Sequence, residues 1–140
     1  MTAARLPRSP IEPVNPVLNV SRSANLPHVP GIRVGDYIFL SGMGPIDPVT
    51  GERRHGPIAE QVRTTLNNVK HMLESAGSSL DRVVKVNVLL HSMLEASNMN
   101  EIYARFFPEP PPARTVCGAR LPDGVKVMIE CTALASDDSR

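Results

Sequence analysis

The chain contains no tryptophan, only 4% aromatic residues and two cysteines among 140 residues. A core without large rings has to be packed from Val, Ile, Leu and Met. Two cysteines without scaffold spacing exclude a disulfide-stapled fold and fit a reduced, cytoplasmic setting. Cys117 and Cys131 each sit in a strand-like run and read as small buried hydrophobes. Charge of one sign is lacking as well. The 15 basic residues against 14 acidic ones leave a net charge of +1. That is not the basic surplus that grips phosphate, so no nucleic-acid partner is expected. No apolar run approaches the roughly 18 residues that cross a membrane. The opening "MTAARLPRSPIEPVNP" has no apolar stretch of the kind a secretory signal carries.

Motifs for bound groups are also missing. His28, His55, His71 and His91 are scattered, with no HxxxH or Cys-His spacing, so no metal site is expected. "SGMG" lacks the Lys-Ser/Thr that completes a phosphate loop, and no GxSxG elbow exists. No cofactor is expected. Ser41 therefore offers its backbone N–H rather than a nucleophilic hydroxyl.

What is present is an α+β pattern on a chain long enough for one domain. Residues 1–16 carry Pro7, Pro10, Pro13 and Pro16 and read as a flexible tail ahead of a single domain over 17–136. "VLNVS" (Val17 to Ser21) reads as a short strand, "ANLPHVPGI" as a loop and "DYIFLSG" (Asp36 to Gly42) as a strand. Ile58, Val62, Leu66, Val69, Leu73 and Ala76 recur at helical spacing, with Pro57 suited to the first turn and Gly77 to the C-terminal cap. "DRVVKVNVLLH" alternates, with Val84, Val86, Val88 and Leu90 on one face. A second helix is expected over Leu94 to Phe107, with Ile102, Tyr103 and Phe106 inward and Pro108 and Pro110–Pro112 ending it. Two closing strands, Ala113 to Arg120 and Val125 to Ala135, are joined by a Pro-Asp-Gly turn. The helices cover one sheet face. Nothing in the chain covers the other, which predicts an oligomer.

Arg114 is the sharpest local feature. A proline run fixes the chain just before it, and its neighbours are apolar. A guanidinium in such a place needs an anion: either a bound carboxylate or a structural partner such as Glu130.

Four stretches, "VGDYIFLSGMGPIDPVTGE", "QVRTTLNNVKHMLESAGSSLDRVVKVNVLL", "MNEIYARFFPE" and "PPARTVCGARLPDGVKVMIECTA", resemble the RidA (YjgF) family of enamine and imine deaminases over Val20 to Ala135. The resemblance implies a chorismate-mutase-like fold: a mixed six-stranded sheet with two helices packed on one face. It implies a homotrimer with ligand clefts between subunits. It makes Arg114 the anchor of the substrate carboxylate, places Asn100 in the cleft, and gives Ser41 and Gly42 backbone contacts to the ligand. Two positions depart from the pattern. Met128 stands where active members carry the first glutamate of Glu-x-Glu, and Glu130 matches the second, two residues or about 7 Å along the strand. The cleft tyrosine is replaced by His28 in "LPHVPG", which resembles the 2-aminomuconate deaminase branch. The implied activity is hydrolytic deamination of a 2-aminoacrylate-like or 2-aminomuconate-like substrate, with His28 and Glu130 as the remaining acid–base groups. The alternative is a small-carboxylate binder that does not hydrolyse. An endoribonuclease role, attached to some family members, is disfavoured by the charge balance and scarce aromatics.

Overall fold

The computed structural model describes residues 7–136. Six strands form one mixed sheet: β1 (Arg8–Pro10), β2 (Gly31–Val34), β3 (Tyr37–Leu40), β4 (Val83–Leu90), β5 (Ala113–Gly118) and β6 (Val127–Leu134). The order is β1-β2-β3-β6-β4-β5, with β4–β5 parallel and every other pair antiparallel. Helices are the one-turn α1 (Val20–Ser23), the long α2 (Ile58–Ser75) and α3 (Ala96–Tyr103). Among the described residues no helix is long and apolar enough to cross a membrane.

α2 forms where the spacing places it. Ile58, Val62, Leu66, Val69 and Leu73 are buried against the sheet. Its end is a Schellman motif: Gly77, at φ 76°, donates to Glu74 O, and Ser78 donates to Leu73 O. The facing sheet positions Ile38, Leu40, Val86, Val88, Leu90, Val127, Ile129 and Ala133 complete an aliphatic core.

Several expectations need correction. The proline-rich stretch is not a loose tail from Arg8 onward. Arg8–Pro10 pair with Ile32–Val34 at the sheet edge, where proline is tolerated, and Ile11 is buried at 6% exposure. Residues 1–6 of that tail lie outside the described residues. "VLNVS" is helical because Asn15 and Asn19 act as caps, their side chains accepting from Val17 and Arg22 N–H. The loop read into "ANLPHVPGI" ends in β2, which turns into β3 through Gly35-Asp36 with Gly35 at φ 57°. Val84 leaves the buried face because a bulge between Val83 and Lys85 shifts the register. The second helix begins at Ala96, and Leu94 is 94% exposed. The two closing strands are not neighbours, since β4 lies between them. Cys117 is exposed on β5, whereas Cys131 is buried.

The sheet face away from α2 and α3 carries Tyr37 and Phe39, about half exposed. Polar side chains on α2 point inward too. Gln61 donates to Gly56 O and Gly124 O and accepts from Lys126 N–H, at 3.2, 2.8 and 2.8 Å. Asn68 donates to Ile46 O at 2.8 Å. These bonds tie the loops at both ends of the site to the helix. Gln61→Leu keeps the volume but removes the partner of two part-buried carbonyls, Gly56 O and Gly124 O, and of the Lys126 N–H. It is expected to lower the unfolding free energy by about 2 kcal/mol in denaturant titration, and a change within about 0.5 kcal/mol would contradict this.

Candidate functional site

The named residues fall into two recesses. The larger encloses about 500 Å³ and is lined by the α1 segment (Leu18, Val20, Leu26, His28), the end of the β2–β3 hairpin (Pro30, Ser41, Gly42, Met43), Arg53, and the start of β6 (Met128, Glu130). The smaller, about 380 Å³, is lined by Asn100, Tyr103, Phe107, Glu109, Pro111, Pro112 and Arg114. The two linings share no residue within one chain. His28, Ser41, Gly42 and Glu130 are thus brought together, and Arg114 and Asn100 are brought together elsewhere.

The Arg114 recess is built by α3. Asn100 and Tyr103 lie one turn apart on the same helix face. Arg114 Nη1 donates to Asn100 Oδ1 at 2.8 Å, and its guanidinium carbon sits 4.7 Å above the Tyr103 ring centroid. Arg114 forms no ion pair among the described residues, although Glu109 lines the same recess. The partner considered from sequence, Glu130, is on the other sheet face, where Asn87 Nδ2 donates to it at 2.9 Å. The register explains this. Arg114 is level with Val86, which points into the core, while Glu130 is level with Asn87.

In the larger recess, Ser41 is a brace. Its N–H donates to Pro30 O and its hydroxyl to Val29 O, at 2.9 and 2.6 Å. The Ser41 N–H, expected to serve a ligand, is here engaged in holding the loop that carries His28. The adjacent Gly42 N–H has no partner among the described residues. Met128 packs on Gly42 so closely that a Cβ added there would lie 2.9 Å from its sulfur. Met43 and Ile129 exchange backbone hydrogen bonds and fix this junction to β6. Sequence reasoning passed over Asn87, Gln61 and Asn68, whose only signal was amide groups within apolar runs. It also passed over Arg53, which stands in the charged turn "ERRH". No group of three or more His, Cys, Asp or Glu is placed to hold a metal ion among the described residues.

Burial pushes the Tyr103 hydroxyl up to about 12, against the pull of Arg114. Burial, with Glu130 nearby, pushes the Cys131 thiol up to about 12 as well. The folded state holds both protons more tightly than the unfolded chain, whose values are 10.0 and 9.0. Their stabilising effect is thus complete below pH 9 and is lost as pH rises toward 12. The Tyr103 hydroxyl is buried without a hydrogen-bond partner among the described residues. Tyr103→Phe should be at least as stable as the parent at neutral pH and lose less stability between pH 10 and 12. Identical pH profiles for the two proteins would contradict this.

The model of the family described as Endoribonuclease L-PSP matches residues 20–135. A RutC family protein of Pyrococcus horikoshii is 44% identical over 108 residues, covering 76% of this chain and 86% of that protein. The crystal structure of YyfA from Yersinia pestis, of the Rid protein family, has a TM-score of 0.82 at 30% identity, covering 92% of this chain and all of that one. TdcF of E. coli, solved with bound serine, has a TM-score of 0.73 at 35% identity, covering 79% of this chain and 89% of that one. The six-stranded sheet with its helices is the chorismate-mutase-like fold of these structures. The chain belongs to the Endoribonuclease L-PSP family, the group of the YjgF, RidA and RutC proteins.

Proposed function

We propose that this protein binds a small carboxylate-bearing enamine or imine in clefts between copies of a homotrimer, and hydrolyses it to release ammonia. The observation that carries the reading is the state of Arg114. Asn100 and Tyr103 fix its guanidinium, and no acid of the described residues neutralises it. A fixed, uncompensated fork suits a carboxylate. The serine bound to TdcF, itself an amino acid, supports that ligand class. Two recesses with separate linings, and a half-exposed Tyr37 and Phe39 on the open sheet face, support an arrangement in which Arg114 and Asn100 of one copy face the His28–Glu130 recess of the next.

In this reading Arg114 holds the carboxylate and orients the nitrogen toward Glu130. A proton delivered to the enamine carbon gives the imine. Water then adds to the C=N carbon, a proton moves to nitrogen, and ammonia leaves as the ketone forms. His28 and Glu130 are the titratable side chains lining the recess. Such groups typically contribute about 10²–10⁴-fold when they are positioned for proton transfer. The Gly42 N–H is a donor for the ligand or the water.

A second reading, binding without hydrolysis, is favoured by Met128. Its thioether fills the space beside Gly42 and can neither orient a water nor exchange a proton. An assay of ammonia release from enzymically generated 2-aminoacrylate and from 2-aminomuconate separates the two. Hydrolysis above the uncatalysed rate is expected, with Arg114→Ala lowering kcat/KM by about 10²-fold or more. Unchanged turnover in that variant would remove Arg114 from the mechanism. Met128→Glu is expected to raise turnover by about 10²-fold or more, restoring a second carboxylate at the water's position. A variant that folds and still gives no increase would show that Met128 does not limit the reaction.

A further inference from the structure

Arg53 is the basic side chain of the larger recess that no sequence motif claims. It lines that recess with His28, Met128 and Glu130, yet it forms no ion pair and no hydrogen bond among the described residues. Its neighbour Arg54 is engaged elsewhere: Nε donates to Asp47 Oδ2 at 3.0 Å and Nη1 to Thr64 Oγ1 at 3.2 Å, on the α2 side. The backbone here is held firmly. Arg53 bridges Ile46, and Arg54 N–H donates to Pro45 O at 2.7 Å. Asp47, whose carboxyl sits below its usual range because Val49 and Thr50 N–H and Arg54 donate to it, closes the turn. Alternation along this short extended stretch therefore sends Arg54 to α2 and Arg53 to the recess.

In the single chain the recess offers more room, and more apolar wall, than a three-carbon acid fills. About 500 Å³ walled by Leu18, Val20, Leu26, Met43, Val125 and Met128 accommodates a longer carbon skeleton. We infer that Arg53 anchors a second acidic group at the far end of the ligand, so that the preferred substrate is a 2-amino dicarboxylate rather than a 2-amino monocarboxylate. This rests on the reading that Arg114 of a neighbouring copy takes the first carboxylate. The charges then match. Two guanidiniums meet two carboxylates, and Glu130, held by Asn87 at 2.9 Å, meets the amino or imino nitrogen.

The test uses the full-length protein at low ionic strength and two saturated six-carbon probes, 2-aminoadipate and norleucine. They differ in a terminal carboxylate against a methyl group. Calorimetric titration is expected to show 2-aminoadipate binding about five- to tenfold more tightly, as one partly exposed charge-assisted contact allows. Arg53→Ala should bring the ratio to about one while leaving norleucine unchanged, and Arg53→Lys should retain part of the preference. Arg114→Ala should weaken both probes. Equal binding of the probes to the parent, or equal weakening of both by Arg53→Ala, would overturn the second anchor. If Arg114→Ala weakens both and Arg53→Ala changes nothing, the carboxylate cleft stands and this inference alone falls. If Arg114→Ala leaves both affinities intact, the cleft reading fails and takes the inference with it.

Discussion

β5 runs parallel to β4, so the chain between them has to cross the sheet, and α3 is that crossover. This constraint decides the site. It lays Asn100 and Tyr103 alongside Arg114, which projects on the helix side of the edge strand. It also separates Arg114 from Glu130, which projects from β6 on the opposite face. A cation and an anion that pattern alone allowed to pair are kept apart by the pleat of the sheet. The guanidinium is left oriented but not neutralised. Burying such a charge without a partner is costly. At the edge of the sheet the Arg114 side chain stays exposed to solvent.

The recess on the other side is organised by hydrogen bonds that do no chemistry. Ser41 clamps the loop bearing His28 through Val29 O and Pro30 O. Asn68 fixes Ile46, beside Arg53 in the bridge, and Gln61 fixes Gly124 and Lys126 ahead of Met128. Each is a side-chain amide or hydroxyl that replaces a missing strand or helix bond for an irregular segment. α2 therefore has two functions. Its aliphatic stripe holds the sheet, and its buried amides hold the loops of the site. Met128 packs tightly against Gly42 within this frame.

Much of this was legible in the chain. The spacing from Ile58 to Leu73 located α2, and Gly77 its end, because both follow from helix geometry. Arg114 and Asn100 stood out and do meet. The strand order did not, since "PPARTVCGARLPDGVKVMIE" reads as a hairpin from local turn chemistry, and only the shared apolar face under α2 decides that β4 lies between β5 and β6. β2 escaped notice because Pro27, Pro30 and Gly31 mask it. The bulge at Val83–Lys85 breaks an alternation that looked regular. Arg53 was not visible as a site residue, because a charged turn reads as solvated surface until its neighbour is seen to face the other way.

The central claim is that Arg114 is a carboxylate anchor completed by a neighbouring copy. A crystal structure of the assembled protein with a small 2-amino or 2-oxo acid tests it most directly. The account predicts the ligand carboxylate within about 3 Å of the free edge of the Arg114 guanidinium. Asn100 and Tyr103 should be placed as described, and His28 and Glu130 of the adjacent copy should face the ligand. A guanidinium edge occupied by an acidic side chain of that copy, with the ligand bound elsewhere, would contradict it.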